Sequence, residues 1–433
     1  MDDKPQNFDG EIEHAASDRN DTSSGRPFSN SWRDEPLTPA ELTKVTKILR
    51  ACENKDRQQL VALATTSGGL IEDRVRRIAW PILLGESPTD ADHTVGWQQL
   101  PVQRDEEQVK LDVHRAFVYY PLNESEKQIE GRKQELSDLI TGLLRRHSCL
   151  HYFQGFHDIA QVLLLVLGAD EAAPLLARLS LLRIRDYMLP TFSASESHVQ
   201  LLPAIVYATD PKLCQHLAGL RPYFAIAATL TLYAHDIEEY GGISRLFDFL
   251  LAHEAVISVY MYATIIMTRK DELLEYDSDD SDMMYAILSK LPKPLDIESL
   301  ITRTASLFEQ HPPETLPFSA WRKVSQYSVL KTTRDSDELA RQTLEEGELL
   351  HAKHAAQIKR QETLQKMTAH SRYLAHKYRR PAGAFTLAIV IGVMSLWLGR
   401  NGNGSSILSP AVLTDAKDKL LWVINSAWTG LRL

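Results

Sequence analysis

His151-Tyr152-Phe153-Gln154-Gly155-Phe156-His157-Asp158 is the stretch on which the reading of this 433-residue chain turns. It separates two apolar helical runs. Before it, Leu136, Leu139, Ile140, Leu143 and Leu144 recur at helical spacing. After it, Ile159 to Leu167 is almost unbroken aliphatic sequence. Gly155 lets the backbone turn between them, and Asp158 suits the cap of the second helix. Gln154 then stands at a break, where a side chain projects from a rigid support. Taken alone, the stretch fits equally well an ordinary helix–turn–helix whose glutamine is simply solvated.

Upstream lies Val109-Lys110-Leu111-Asp112-Val113-His114-Arg115. Val109, Asp112 and Arg115 recur every three residues and share a helix side, so Asp112 can orient Arg115 one turn on. Seen by itself this is an ordinary surface ion pair, worth a few tenths of a kcal/mol (about 0.3–0.5). Earlier still, Thr38-Pro39-Ala40-Glu41 is a capping box that starts the ordered chain. Ser67-Gly68-Gly69 stops a helical pattern, and Arg76 and Trp80 fall on one face of the next helix, where an arginine lying over a half-buried tryptophan is expected. Downstream, Phe224 to Tyr233 and Val256 to Met267 are too short to span a bilayer and read as core helices. Period-two alternation and hairpin dipeptides are scarce, so the expected fold class is all-α.

Composition narrows the functions. A net charge of −9 makes nucleic acid an unfavourable partner. Three cysteines with no metal or disulfide spacing suit a reduced, cytosol-facing globular part. Residues 1–36 are polar and expected to be disordered. Residues 37–313 form the helical domain, and 314–380 a polar helical linker. Pro381 to Gly399 holds 19 residues without an ionisable group. At about 1.5 Å per residue such a helix nearly matches a hydrocarbon core of about 30 Å, so 381–399 is expected to span a membrane once. Lys366, Arg372, Lys377, Arg379 and Arg380 precede it, and only Arg400, Lys417 and Lys419 follow closely. That excess puts the N-terminal side in the cytosol. Residues 400–433 form a short tail in which Leu420 to Trp428 reads as an interfacial patch.

No phosphate-binding loop, metalloprotease helix, nucleophile elbow or paired-cysteine metal motif occurs. No metal is called for, and His147 and His151 lack a third ligand. What remains is an arginine beside an aspartate and an exposed glutamine, neither of which activates a nucleophile unaided. Together they suit completion of another protein's phosphate-transfer site. A guanidinium there stabilises charge on the γ-phosphate oxygens, worth about 10³ to 10⁵ in rate, and a carboxamide orients the attacking water.

The order Arg76-x-x-x-Trp80, Val109-x-x-Asp112-x-x-Arg115, Tyr152-x-Gln154-Gly155-x-x-Asp158 resembles the TBC domain of Rab GTPase-activating proteins, over about Gly68 to Pro313. The resemblance implies an all-helical fold in which Arg115 and Gln154 enter the GTPase's nucleotide site as catalytic fingers. Asp112, Tyr152, Gly155, Asp158, Arg76 and Trp80 support them. It implies no cofactor of the chain's own, since GTP and Mg are held by the partner. Leu111 to Arg115, Leu150 to Ile159 and Arg245-Leu246-Phe247-Asp248-Phe249 are similar to the membrane-anchored member 20 type of that family and its yeast counterpart. This implies a GTP-bound Rab of the early secretory pathway as partner. It also implies a place in the endoplasmic reticulum membrane, or the early Golgi, with the domain in the cytosol. Ala116 replaces a common threonine, and the Arg245 stretch lacks the usual tryptophan, which leaves the choice of Rab open. The alternative is a non-catalytic, membrane-anchored Rab-binding adaptor; a membrane-shaping protein would leave the large helical domain without a role.

Overall fold

The computed structural model of the chain describes residues 36–85, 95–121 and 124–400, with the side chains of 336, 337, 375, 378–386 and 396–400 outside the description. The expected tail 1–36 therefore lies outside the described residues but for its last position, as does the tail 401–433. Every regular element among the described residues is helical. The chain divides into two units, one ending at Ala356 and one beginning at Gln357.

The first unit opens with α1 (Pro39–Glu53), α2 (Arg57–Thr65) and α3 (Asp73–Leu84). The Thr38–Glu41 capping box forms in full. Helix α4 (Glu106–His114) leads to the long α5 (Glu126–Arg146), and α6 (Phe156–Leu167) follows the Gln154 turn. Helix α7 (Ala169–Arg178) carries Pro174 in its interior. The shorter α8 (Ser193–Val199), α9 (Leu202–Thr209), α10 (Pro211–His216) and α11 (Ile226–Leu230) lead to α12 (Tyr240–Ala252) and α13 (Ile257–Thr268). Then come α14 (Lys270–Leu274), α15 (Ser281–Leu288), α16 (Ile297–Gln310), α17 (Ala320–Lys323), α18 (Val329–Thr332), α19 (Ser336–Arg341) and α20 (Leu344–Arg400).

The core is built on helices that are apolar on nearly every side. In α6 only Asp158 is not buried, and in α13 every residue from Ile257 to Ile266 is buried. A helix without a polar face is stable only when neighbours enclose it. Helices α3, α5 and α7 pack around α6, and α9 and α16 around α13.

Two sequence expectations change here. Arg76 does not lie at the surface over Trp80. Both are buried, at 1% and 0% exposure. Asp248 on α12 accepts from Arg76 Nε at 3.0 Å, Arg76 Nη2 at 3.0 Å, Trp80 Nε1 at 2.9 Å and the Leu70 amide at 2.9 Å. Burial alone would lower the Arg76 pKa, but Asp248 and Asp73 hold it above its ordinary value. The i,i+4 spacing was legible; the acid that draws both side chains inward sits 168 to 172 residues away.

The second change concerns 314–380, whose first part is not a solvated linker. Val329, Leu330, Leu339 and Leu344 are buried in the core of the first unit. Asp186, fully buried, accepts from His198 Nε2 at 2.8 Å and the Val329 amide at 3.1 Å, and lies 3.3 Å from His354 Nδ1 at the start of α20. Burial would raise the Asp186 pKa, but the hydrogen bond from His198 and the adjacent His354 ring hold it well below the carboxylate range.

The expected anchor, 381–399, belongs to the continuous helix α20 rather than to a separate element. The side chains of 381–386 and 396–399 fall outside the described residues. Among the described residues no helix is long and apolar enough to cross a membrane, so the structure lends the anchor no support.

Candidate functional site

Arg115 is the C-cap of α4, at φ −95° and ψ 2°, and its side chain is 63% exposed. One turn back, Asp112 is 0% exposed. Arg115 Nη2 donates to Asp112 Oδ1 at 2.6 Å, as the spacing predicts. Gln108 Nε2 donates to the same oxygen at 3.0 Å. The other oxygen, Oδ2, accepts from the Tyr152 hydroxyl at 2.9 Å. One buried carboxylate thus ties Arg115 to the residue two before Gln154. Two more bridges join the same segments. The Tyr152 amide donates to Asp105 Oδ2 at 2.9 Å, and Gln103 Nε2 and Arg104 Nη2 both reach the Leu150 carbonyl, at 3.2 and 3.0 Å.

Gln154 is exposed, and its carboxamide has no hydrogen-bond partner among the described residues. It occupies the first central position of a tight turn closed by the Phe156 amide on the Phe153 carbonyl at 3.1 Å. Gly155 takes the second, at φ 97° and ψ −8°, a conformation that glycine adopts without strain. A Cβ there would stand 2.6 Å from Thr231 Cγ2, so the turn is also pressed against the end of α11. Phe153 and Phe156 anchor it below, their rings 5.5 Å apart edge to face.

Asp158 is not the expected cap. The N-cap of α6 is Gly155, without a side-chain bond, and Asp158 lies in the first turn. Its Oδ2 accepts from His235 Nδ1 at 3.0 Å, and its Oδ1 lies 3.3 Å from His157 Nε2. His157 Nδ1 is 3.4 Å from the Tyr152 hydroxyl. A continuous polar line therefore runs from Arg115 through Asp112, Tyr152, His157 and Asp158 to His235. The hydrogen bond to Asp158 raises the pKa of His235, whereas burial lowers that of His157. Burial, reinforced by the Asp112 charge, pushes the Tyr152 phenol up, so it stays a donor.

The structure therefore brings together Arg115, Asp112, Tyr152, Gln154, Gly155 and Asp158. Arg76 and Trp80 form a separate buried centre on Asp248. Sequence reading missed Asp105, Thr231, His235 and Gln161, whose Oε1 accepts from the Phe117 amide at 3.0 Å. Only Gln161 carried a signal, as the lone amide in an aliphatic run. Among the described residues no group of acids, histidines and cysteines could hold a metal.

Residues 73–274 match the family model of the Rab-GTPase-TBC domain. The chain is 34% identical over 301 residues to TBC1 domain family member 20 of Bos taurus, covering 69% of this chain and 74% of that protein. It is 35% identical over 278 residues to the Homo sapiens protein of that name, covering 63% and 68%. It is 31% identical over 290 residues to the GTPase-activating protein gyp10 of Schizosaccharomyces pombe, covering 65% and 76%. The crystal structure of the Ypt/Rab-GAP domain of Gyp1p is similar in fold, with a TM-score of 0.51 at 16% identity over 62% of this chain and 99% of that one.

Proposed function

This chain belongs to the Rab-GTPase-TBC family, and from that premise we propose that it accelerates GTP hydrolysis by a Rab by lending Arg115 and Gln154 to the partner's nucleotide site. The Rab holds GTP and Mg; this chain adds no cofactor of its own. Water attacks the γ-phosphorus, the bond to the bridging β–γ oxygen breaks, and negative charge spreads over the phosphoryl oxygens. Arg115 supplies a permanent cation to that charge, and its link to Asp112 aims the fork before the partner arrives. Gln154 offers a carbonyl to accept from the attacking water and an amide to donate to a phosphoryl oxygen. Its carboxamide is not engaged by the chain's own described groups, so it is free to do so.

The observation that supports this reading is the shared carboxylate, Asp112, which bridges Arg115 and Tyr152, two residues before Gln154. The test is single-turnover GTP hydrolysis by a panel of purified Rabs with the full chain in detergent. Arg115→Ala is expected to lose about 10²–10³ of the stimulated rate, as for loss of a comparable electrostatic donor, measured on protein whose fold is verified by circular dichroism. Full stimulation by Arg115→Ala would overturn the assignment. The adaptor reading would take its place if some Rab bound without any gain in hydrolysis.

The membrane and the compartment rest on sequence. We propose that 381–399 anchors the chain with its catalytic unit in the cytosol and that its Rabs serve early secretory traffic at the endoplasmic reticulum or early Golgi. The ion-free composition of 381–399 and the likeness to the member 20 proteins support this.

A further inference from the structure

Exposed apolar residues flank Arg115 in the chain on both sides. Leu111, one turn before it on α4, is 62% exposed, and Val118 and Tyr119, three and four residues after it, are 71% and 47% exposed. Val118 and Tyr119 are held outward from both sides. Phe117 before them is buried in a left-handed conformation, φ 63°, with its amide bonded to Gln161. Tyr120 after them is buried, its ring 5.7 Å from that of Tyr240. With both ends fixed in the core, the two side chains between cannot turn inward. Singly exposed apolar residues are ordinary; three that bracket a fixed, exposed guanidinium form a preorganised patch, and such a patch marks a site of association.

We propose that Leu111, Val118 and Tyr119 form the rim on which the GTP-bound Rab seats its surface beside the nucleotide, and that their apolar character discriminates among Rabs. The inference rests on Arg115 acting at the partner's nucleotide. Covalent proximity fixes the occupant: a protein that receives Arg115 must close over side chains three and four residues away. A Rab that meets the rim with apolar groups gains from their burial. One that places a positive charge there loses its solvation and faces the Arg115 cation, a repulsive element that sharpens selection. Tyr119 is suited to the anchoring role, having a large ring with few rotatable bonds.

The experiment follows single-turnover hydrolysis by a responsive Rab against concentration of the full chain in detergent. It compares Val118→Asp, Tyr119→Ala, Val118→Ile and Arg115→Ala. Val118→Asp is expected to raise the half-saturating concentration about tenfold and Tyr119→Ala several-fold, both with the saturated rate unchanged. Val118→Ile keeps the wild-type curve. Arg115→Ala loses the saturated rate instead. Since the rim residues are exposed, the melting temperatures of the rim variants should match the wild type. If Val118→Asp and Tyr119→Ala keep the wild-type half-saturation while Arg115→Ala loses rate, the rim is wrong and the catalytic reading stands. If Arg115→Ala keeps its rate, the catalytic reading falls and takes the rim with it.

Discussion

Asp112 is excluded from water, yet its oxygens take hydrogen bonds from one exposed and one half-buried partner across the site, Arg115 and Tyr152, and a third from Gln108. Asp112→Ala leaves the Tyr152 hydroxyl without its acceptor, which costs about 1–3 kcal/mol. Chemical unfolding should show that loss, and the stimulated rate should fall with it because Arg115 is no longer aimed. Asp112→Asn keeps an acceptor but not the charge, so it should retain more stability than rate. At His235 the sign is set by the raised pKa. The folded state favours the charged ring, so its contribution is complete below the ordinary imidazole value and fades as pH rises through the raised one. His253 works the other way. Burial, then the Arg183 charge, lowers it from 6.5 to about 4, so stability falls as pH drops through that window. His235→Gln should flatten the alkaline decline and His253→Gln the acid one, read from melting temperature against pH. The Asp112–Arg115 pair was legible because both partners sit one turn apart on one helix. His235 was not, because its partner is 77 residues away and an isolated histidine has no pattern.

At the level of elements, local chemistry announced the starts and stops. The Thr38–Glu41 box, the Ser67-Gly68-Gly69 break and the Gly155 turn all appear where spacing and residue type put them. Burial of polar groups was hidden, because it depends on what another element brings. Arg76 and Trp80 turn inward only because Asp248 waits on α12. Asp248→Ala would leave the buried Arg76 guanidinium with Asp73 alone and the Trp80 and Leu70 N–H groups without an acceptor, and should cost about 3–5 kcal/mol, measurable by urea unfolding. The polar stretch after residue 313 misled for the same reason: its charged residues conceal Val329, Leu330, Leu339 and Leu344, which fill the core. Gly155→Ala should be destabilising by about 1–3 kcal/mol, since the added methyl meets Thr231 Cγ2 in a conformation that alanine resists. The turn that relaxes this clash should move Gln154, so the stimulated rate should drop even where the fold survives.

For the whole molecule, the all-helical class could be read from the chain, while the arrangement of helices could not, since periodicity says which face is buried and not against what. Deleting 381–433 is expected to leave solution activity intact and to abolish co-sedimentation with vesicles, because an anchor raises local concentration without touching the chemistry. The polar line from Arg115 to His235 has a further consequence. It draws on α4, the 150–158 segment and the chain after α11, which meet only because the core between them is complete. No single helix can preserve the geometry once its neighbours leave. Loss of turnover should therefore track the unfolding of the unit that ends at Ala356, whatever ellipticity the helix beyond it retains.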